Sequence, residues 1–190
     1  MVDGPQGQRV PLGPRGHLTP LLRRVAAALA LVAIVSGCAD EPAADERTSA
    51  VVSRIGDGDS LDLADGTRVR LVQIDAPELG QGECFAPEAR RDLERLARPG
   101  TRVELEADPR LDDRDRYDRA LRYVLAGAVN VNVELVRRGA ATPYFQSGTE
   151  GLYADELLSA VDEARRGARG MWGSCRVSWE PDRAVTTRPR

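Results

Sequence analysis

Residues 54–78 read RIGDGDSLDLADGTRVRLVQIDAPE, and the fold turns on this stretch. Apolar residues alternate through Leu61 and Leu63, then through Val69 and Leu71, so residues 60–63 and 67–74 read as two strands. Ala64-Asp65-Gly66 joins them, and Asp-Gly between alternating segments is a strong hairpin signal. Residues 50–55 form a strand before this pair. Pro77 and the glycine-rich run at 80–82 make a loop, and Pro87 marks the first turn of a helix. Ala89, Leu93, Leu96 and Ala97 give that helix one apolar stripe, and Pro99-Gly100 stops it.

Further along, residues 101–107 alternate, with Val103 and Leu105 on one side. Residues 108–116 are a charged loop, and 120–125 a further strand. Helices follow at 132–138 and about 150–168, with a short extended piece at 142–145 between them. Asn132 reads as a helix-start or buried hydrogen-bonding residue. About five short strands with helices after the third and at the end is an α+β pattern, which a five-stranded barrel with helices against it would bury. Residues 176–190 are rich in Arg, Pro and Thr and read as a disordered tail.

Composition narrows the chemistry. The chain has 190 residues, with 27 basic residues that are all Arg, and a net charge of −3. Its one histidine, His17, lies in a segment that reads as an export signal. Residues 1–24 are basic and end in Arg23-Arg24. An apolar run of about a dozen residues follows, too short to cross a bilayer. Val35-Ser36-Gly37-Cys38 resembles a lipobox, in which the cysteine is lipidated and becomes the new N-terminus; an ordinary secretory signal is the alternative. Cleavage before Cys38 leaves no histidine, which excludes Ser-His and Cys-His catalysis. It also leaves 23 Arg against 29 Asp and Glu, a net of −6. A phosphate site in such a protein must be a local arginine cluster. Residues 38–49 are a polar, flexible tether.

Lipidation of Cys38 leaves Cys84 and Cys175, an even pair that reads as one disulfide in an oxidising compartment. The alternative is two buried thiols. A disulfide would close about 90 residues and stabilise by about 4–5 kcal/mol in the chain-entropy picture.

Three clusters carry the chemistry: Asp57-Gly58-Asp59, the run from Arg70 to Glu78, and Asp115-Arg116-Tyr117-Asp118-Arg119. Asp59 opens one strand and Asp75 closes another, so antiparallel partners bring these ends together. Two close carboxylates raise each other's pKa unless a cation sits between them. With no histidine or free thiol, that cation is oxygen-seeking, Ca2+ or Mg2+. A helix-loop-helix calcium loop starting at Asp57 fails, because its sixth position is Asp62 and its twelfth Arg68. Carboxylates, a hard cation and arginines together suit a phosphodiester, which gains charge during hydrolysis.

RIGDGDSLDL, VRLVQIDAPE, CFAPEA, DRYDR and GMWGSC, in this order and spacing, resemble the thermonuclease (staphylococcal nuclease-like) family over about residues 50–175. The resemblance implies an OB-fold barrel with about three helices, exported in many bacteria, that hydrolyses DNA and RNA with Ca2+. It implies that Asp59, Asp75 and the backbone carbonyl of Ala76 hold the metal, with Arg70 and Arg119 facing them. Glu78 would orient or deprotonate the attacking water, and the two arginines would grip the phosphate and stabilise the transition state. Arg116 and Tyr117 match the pair that contacts the nucleotide's terminal phosphate, and Tyr144 a residue that stacks on a base. For both tyrosines, packing against the barrel is the alternative.

The chain also departs from that pattern. Its loop from Leu79 to Cys84 is shorter, Asp118 stands where glycine is usual, and its charge is acidic rather than basic. The expectation is therefore a monomeric Ca2+-dependent nuclease acting on DNA or RNA, anchored outside the cytoplasm to the membrane through Cys38. The competing expectation is a non-catalytic OB-fold lipoprotein that binds nucleic acid or protein.

Overall fold

A computed structural model describes residues 47–190. The expected export signal, Cys38 and most of the tether lie outside the described residues. The chain runs β1 (Thr48–Ile55), β2 (Ser60–Leu63), β3 (Arg68–Leu71), β4 (Ile74–Asp75), α1 (Ala86–Leu96), β5 (Arg102–Glu106), β6 (Ala120–Ala126), β7 (Val129–Asn130), α2 (Val131–Arg137), β8 (Thr142–Pro143), α3 (Ala154–Arg166), α4 (Met171–Ser174), β9 (Cys175–Ser178) and β10 (Thr186–Pro189). The last part of the expected tether, Thr48 and Ser49, is already strand, because it pairs with Leu105 and Glu104 of β5.

β1 is long because it serves two neighbours. Its first half pairs with β5 and its second half with β2, both antiparallel. The register shifts between Val52 and Arg54, where Ser53 Oγ donates to the carbonyls of Asp62 and Leu63. Such an irregularity bends a strand, and here it carries β1 around the curve. β2 and β3 form the expected hairpin, and β5 pairs antiparallel with β6. The ring closes where β3 meets β6 in parallel, Val69 opposite Ala120 and Leu71 opposite Arg122. The result is a closed five-stranded mixed barrel of the OB type. Val52, Leu61, Val69, Leu71, Val103 and Val124 fill it and are almost completely buried.

The helices cover the barrel, α1 with the stripe expected of it. α1 starts with Pro87 in its first turn and buries Ala86, Ala89 and Leu93. Asn130 caps α2 by accepting from Val133 N–H. Asn132, inside that helix, is fully buried; its Oδ1 accepts from Val124 N–H at 3.0 Å and its Nδ2 donates to Val72 O at 2.8 Å. It thereby ties α2 to β6 and to the end of β3. α3 buries Leu157, Ala160, Val161 and Ala164.

Two expectations are corrected. Residues 67–74 are not one strand: Val72 and Gln73 form a turn, and Gln73 has a left-handed backbone with φ 63°. Partners far along the chain hold it. Gln73 Nε2 donates to Thr149 O, and its Oε1 accepts from Gly151 N–H. Residues 176–190 are not a disordered tail. β9 and β10 pair antiparallel, Val185 is buried with Met171 and Cys175, and Trp179 Nε1 donates to Pro143 O at 2.7 Å. The segment is too polar to form a core alone, but it completes one that others begin. Cys84 and Cys175 form the expected disulfide at the base of this hairpin, spanning 91 positions.

Candidate active site

The turn at Val72-Gln73 redirects the chain, so that β4 leaves the barrel sheet and pairs with β8, Asp75 opposite Thr142. This sets the Asp75 carboxylate beside Arg70 instead of along the strand face. The loop before β2 closes in from the other side. A Cβ at Gly58 would come within 2.7 Å of Ala76 Cβ and 2.9 Å of Ala89 Cβ. Only glycine lets this loop lie so close to Ala76 and α1. The approach brings Asp59 into reach, and Ala76 N–H donates to Asp59 Oδ2 at 2.9 Å.

Asp59 and Asp75 therefore meet, but around a guanidinium. Arg70 Nη2 lies 3.0 Å from Asp59 Oδ2 and 2.9 Å from Asp75 Oδ1. Arg70 Nη1 donates to the carbonyls of Leu71 and Ile74 at 3.1 and 2.9 Å. The expectation that Arg70 faces the two carboxylates across a cleft is corrected: it sits between them, with its side chain only 13% exposed. The other Asp75 oxygen, Oδ2, accepts from Val185 N–H at 2.8 Å.

Glu78 is half-buried at the edge of this cluster, just before a 3₁₀ turn at Leu79–Gln81. Asp57 and Asp59 both lie close enough to act on its carboxyl. Two carboxylates thus flank Arg70 with Glu78 beside them, and the proton affinities of Asp59, Asp75 and Glu78 record the crowding of negative charge. Burial pushes Asp59 up, against the pull of Arg70. Burial also pushes Asp75 up to about 6; Arg70 opposes that shift and Asp59 adds to it. Burial, the Asp59 charge and the nearby Asp57 push Glu78 up to about 7. Every donor is oxygen, so the set fits a hard divalent cation, which would relieve the surplus of negative charge. Among the described residues, no three acidic, histidine or cysteine side chains form a ready metal cage.

The third cluster lies beside this one because β3 and β6 run parallel. Ala120 pairs with Val69 and Leu121 with Arg70, so Arg119 enters β6 at the level of Arg68, and it lines the same cleft as Arg70. Arg119 Nε donates to Asp115 Oδ2 at 2.7 Å, and its N–H donates to Asp115 Oδ1. Asp118 has φ 62°, the left-handed conformation that explains why glycine is usual there. Its carboxylate accepts from Arg114, not from Arg119. Arg116 and Arg119 both lie over the ring of Tyr117, at 4.7 and 5.6 Å, and Tyr117 is 54% exposed. Tyr144 stands on the opposite segment, after β8, with its N–H donated to Gln73 O.

These side chains line a cleft of about 670 Å³. Arg110, Arg114, Arg116 and Arg119 give it a basic wall, and Tyr117 and Tyr144 its flat surfaces. Arg70 is shared between this cleft and the acidic cluster. Arginines presented along a groove suit phosphates, and exposed rings suit bases. An acidic protein thus carries a local anion site.

Sequence reasoning missed Glu83 and Val185 as parts of the site, and the roles of Gln73 and Asp115 within clusters it had named. Glu83 accepts from Glu78 N–H at 2.8 Å and from Thr187 N–H at 3.3 Å. Gln73 shapes the turn before Asp75, Asp115 holds Arg119, and Val185 reaches Asp75. Only Asp115 had a local signal, as an acidic residue four positions before an arginine. The others act through partners distant in sequence.

Residues 68–174 match the family model described as staphylococcal nuclease homologue. The chain is 34% identical over 165 residues to the micrococcal nuclease of Shigella flexneri, covering 80% of this chain and 84% of that protein. It is 31% identical over 156 residues to an uncharacterized endonuclease of Haemophilus influenzae, covering 76% and 74%. An uncharacterized endonuclease of Escherichia coli O157:H7 is 37% identical over 128 residues, 64% of this chain and 74% of that one. With the closed barrel, the acidic cluster and the arginine-lined cleft, these matches show that the chain belongs to the staphylococcal nuclease homologue family and is a nuclease, a phosphodiester hydrolase.

Proposed function

We propose that this chain is a Ca2+-dependent nuclease that degrades DNA or RNA outside the cytoplasm, as a monomer held to the membrane through a lipid on Cys38. The observation that carries the reading is the junction at Arg70, where a cluster of buried carboxylates meets a cleft walled by arginines. Asp59, Asp75 and the Ala76 carbonyl would hold the ion. Bound there, Ca2+ would supply positive charge to a phosphate oxygen as the phosphorus becomes more negative.

The chain's own residues do the rest. Arg119 grips the phosphate with its fork, and Arg70, whose terminal nitrogens are held by Asp59, Asp75 and two carbonyls, adds its positive charge to the transition state. Glu78 accepts a proton from the attacking water. The water oxygen bonds to phosphorus and the opposite P–O bond breaks. The family pattern implies that this is the bond to O5′, leaving a 3′-phosphate. Arg116 and Tyr117 hold the flanking phosphate, and Tyr144 stacks on a base. The Cys84–Cys175 disulfide supports an oxidising, extracytoplasmic setting.

The test is digestion of single-stranded DNA with Ca2+ and with chelator. Chelator abolishes activity in the parent. Glu78→Gln lowers kcat by about 10²–10⁴-fold, and Arg119→Ala by about 10²–10³-fold. Equal digestion by all three proteins would overturn the assignment. Cys38→Ala releases the protein into the medium, and unchanged membrane retention would refute the anchor.

A further inference from the structure

We infer that the C-terminal hairpin is part of the catalytic apparatus: its segment 179–187 positions Asp75 through the backbone N–H of Val185. The inference rests on the reading of Asp75 as a cation ligand. The segment lies beyond the family match, which ends at residue 174.

Both Asp75 oxygens are engaged. Arg70 Nη2 holds Oδ1 at 2.9 Å and Val185 N–H holds Oδ2 at 2.8 Å. Two donors on opposite oxygens fix the rotation of the carboxylate. Each oxygen keeps a second lone pair for a cation. Donors behind a ligand orient it, and losing one typically weakens metal binding.

The segment is held in place on both sides of Asp75. On one side, Trp179 Nε1 donates to Pro143 O, and Phe145 N–H donates to Pro181 O at 2.6 Å. Pro143 belongs to β8, the strand that pairs with β4, so the segment grips the same ribbon that carries Asp75. On the other side, Thr187 Oγ1 donates to Cys84 O at 2.7 Å, and the Cys84–Cys175 disulfide ties that loop to the start of β9. The Val185 side chain is buried against Met171 and Cys175, which fixes its N–H.

A second limb runs from the same hairpin. Thr187 N–H donates to Glu83 Oε1, and Glu83 Oε2 accepts from Glu78 N–H. One strap therefore steadies the carboxylate of Asp75 and the backbone of Glu78. Val185, Glu83 and Thr187 are positioning residues: they act through Asp75 and Glu78.

A backbone donor can be deleted only by proline, which makes the test specific. Ca2+ binding is measured by calorimetry on the full chain for the parent, Val185→Ala and Val185→Pro, with melting temperatures recorded in chelator. Val185→Ala keeps the N–H while trimming the packing that seats it, and binds Ca2+ more tightly than Val185→Pro does. Val185→Pro lacks it and binds about tenfold more weakly, and the Ca2+ needed for half-maximal kcat rises in step. Equal binding by Val185→Pro, or equal weakening by Val185→Ala, would overturn the inference and leave the assignment of Asp75 standing. A parent that binds no Ca2+ would overturn both. A second measurement needs no foldable proline variant: the Val185 amide proton resonance of the parent moves during Ca2+ titration and shifts upfield in Asp75→Asn. A resonance indifferent to both would end the proposal.

Discussion

The two arginines at the centre of this site are held in opposite ways. Arg70 is clamped by two carboxylates and two carbonyls, inside a barrel wall, with 13% of its side chain exposed. Arg119 sits on a surface loop, is held by Asp115 alone among the carboxylates of the described residues, and has 28% of its side chain exposed. One is part of the fold and the other is mounted on it. Under the proposed function, phosphate would be met by a fixed charge on one side and an adaptable one on the other. A site on a rigid element is precise, while a loop can adjust to the substrate.

The comparison is sharpest in stability. Arg70→Ala leaves Asp59 and Asp75 buried with no counter-charge, and breaking a buried pair in this way costs about 3–5 kcal/mol. Arg119→Ala frees a partly exposed carboxylate and costs about 1 kcal/mol or less. Denaturant unfolding in the presence of chelator separates the two. Equal losses would mean that Arg70 is no more structural than Arg119.

The acidic half offers a second way to break the comparison, through pH. Glu78 has a pKa of about 7 in the folded protein against an ordinary 4.5, so the folded state holds its proton more tightly than the unfolded state. Ionising it costs stability: nothing below pH 4.5, a growing amount up to pH 7, and a constant amount above. Glu78→Gln removes that cost. In chelator, the variant matches the parent at pH 4 and exceeds it at pH 8. The gain is about 1 kcal/mol once solvent screening at this half-buried position is allowed for. Melting temperatures across this range check it, and a difference that shrinks as pH rises would refute the electrostatic account. No comparable gain follows from changes in the exposed loop.

The same division decides what could be read from the sequence. Ala64-Asp65-Gly66 predicted its hairpin because the turn is local: Gly66 takes φ 89° and Thr67 N–H bonds to Asp65 Oδ1. α1 was legible from Pro87 and its stripe. The turn at Gln73 was not legible, since Thr149 and Gly151 hold it from more than 70 positions away. Nor was the order of residues 176–190, whose partners are Pro143, Cys84 and Asp75. Hence the meeting of Asp59 and Asp75 could be anticipated, but not that Arg70 lies between the carboxylates. That arrangement depends on where β4 points, and the Gln73 turn sets it.

The smallest expected effect belongs to Asp118, on the exposed half. Its left-handed backbone is strained for aspartate, and glycine would relieve that strain. Against this, Asp118→Gly loses the Arg114 pair at 3.1 Å and gives the unfolded chain more freedom. These changes offset, so stability moves by no more than about 0.5 kcal/mol. The carboxylate is 80% exposed, so it acts on substrate only through its field beside the arginine wall. Its removal lowers KM for single-stranded DNA by about twofold at low salt, and the gain vanishes at high salt, where exposed charges are screened. Steady-state kinetics at two ionic strengths measures this. If activity instead fell by orders of magnitude, Asp118 would have to touch the substrate or fix Arg119, and the loop would be as tightly built as the barrel wall.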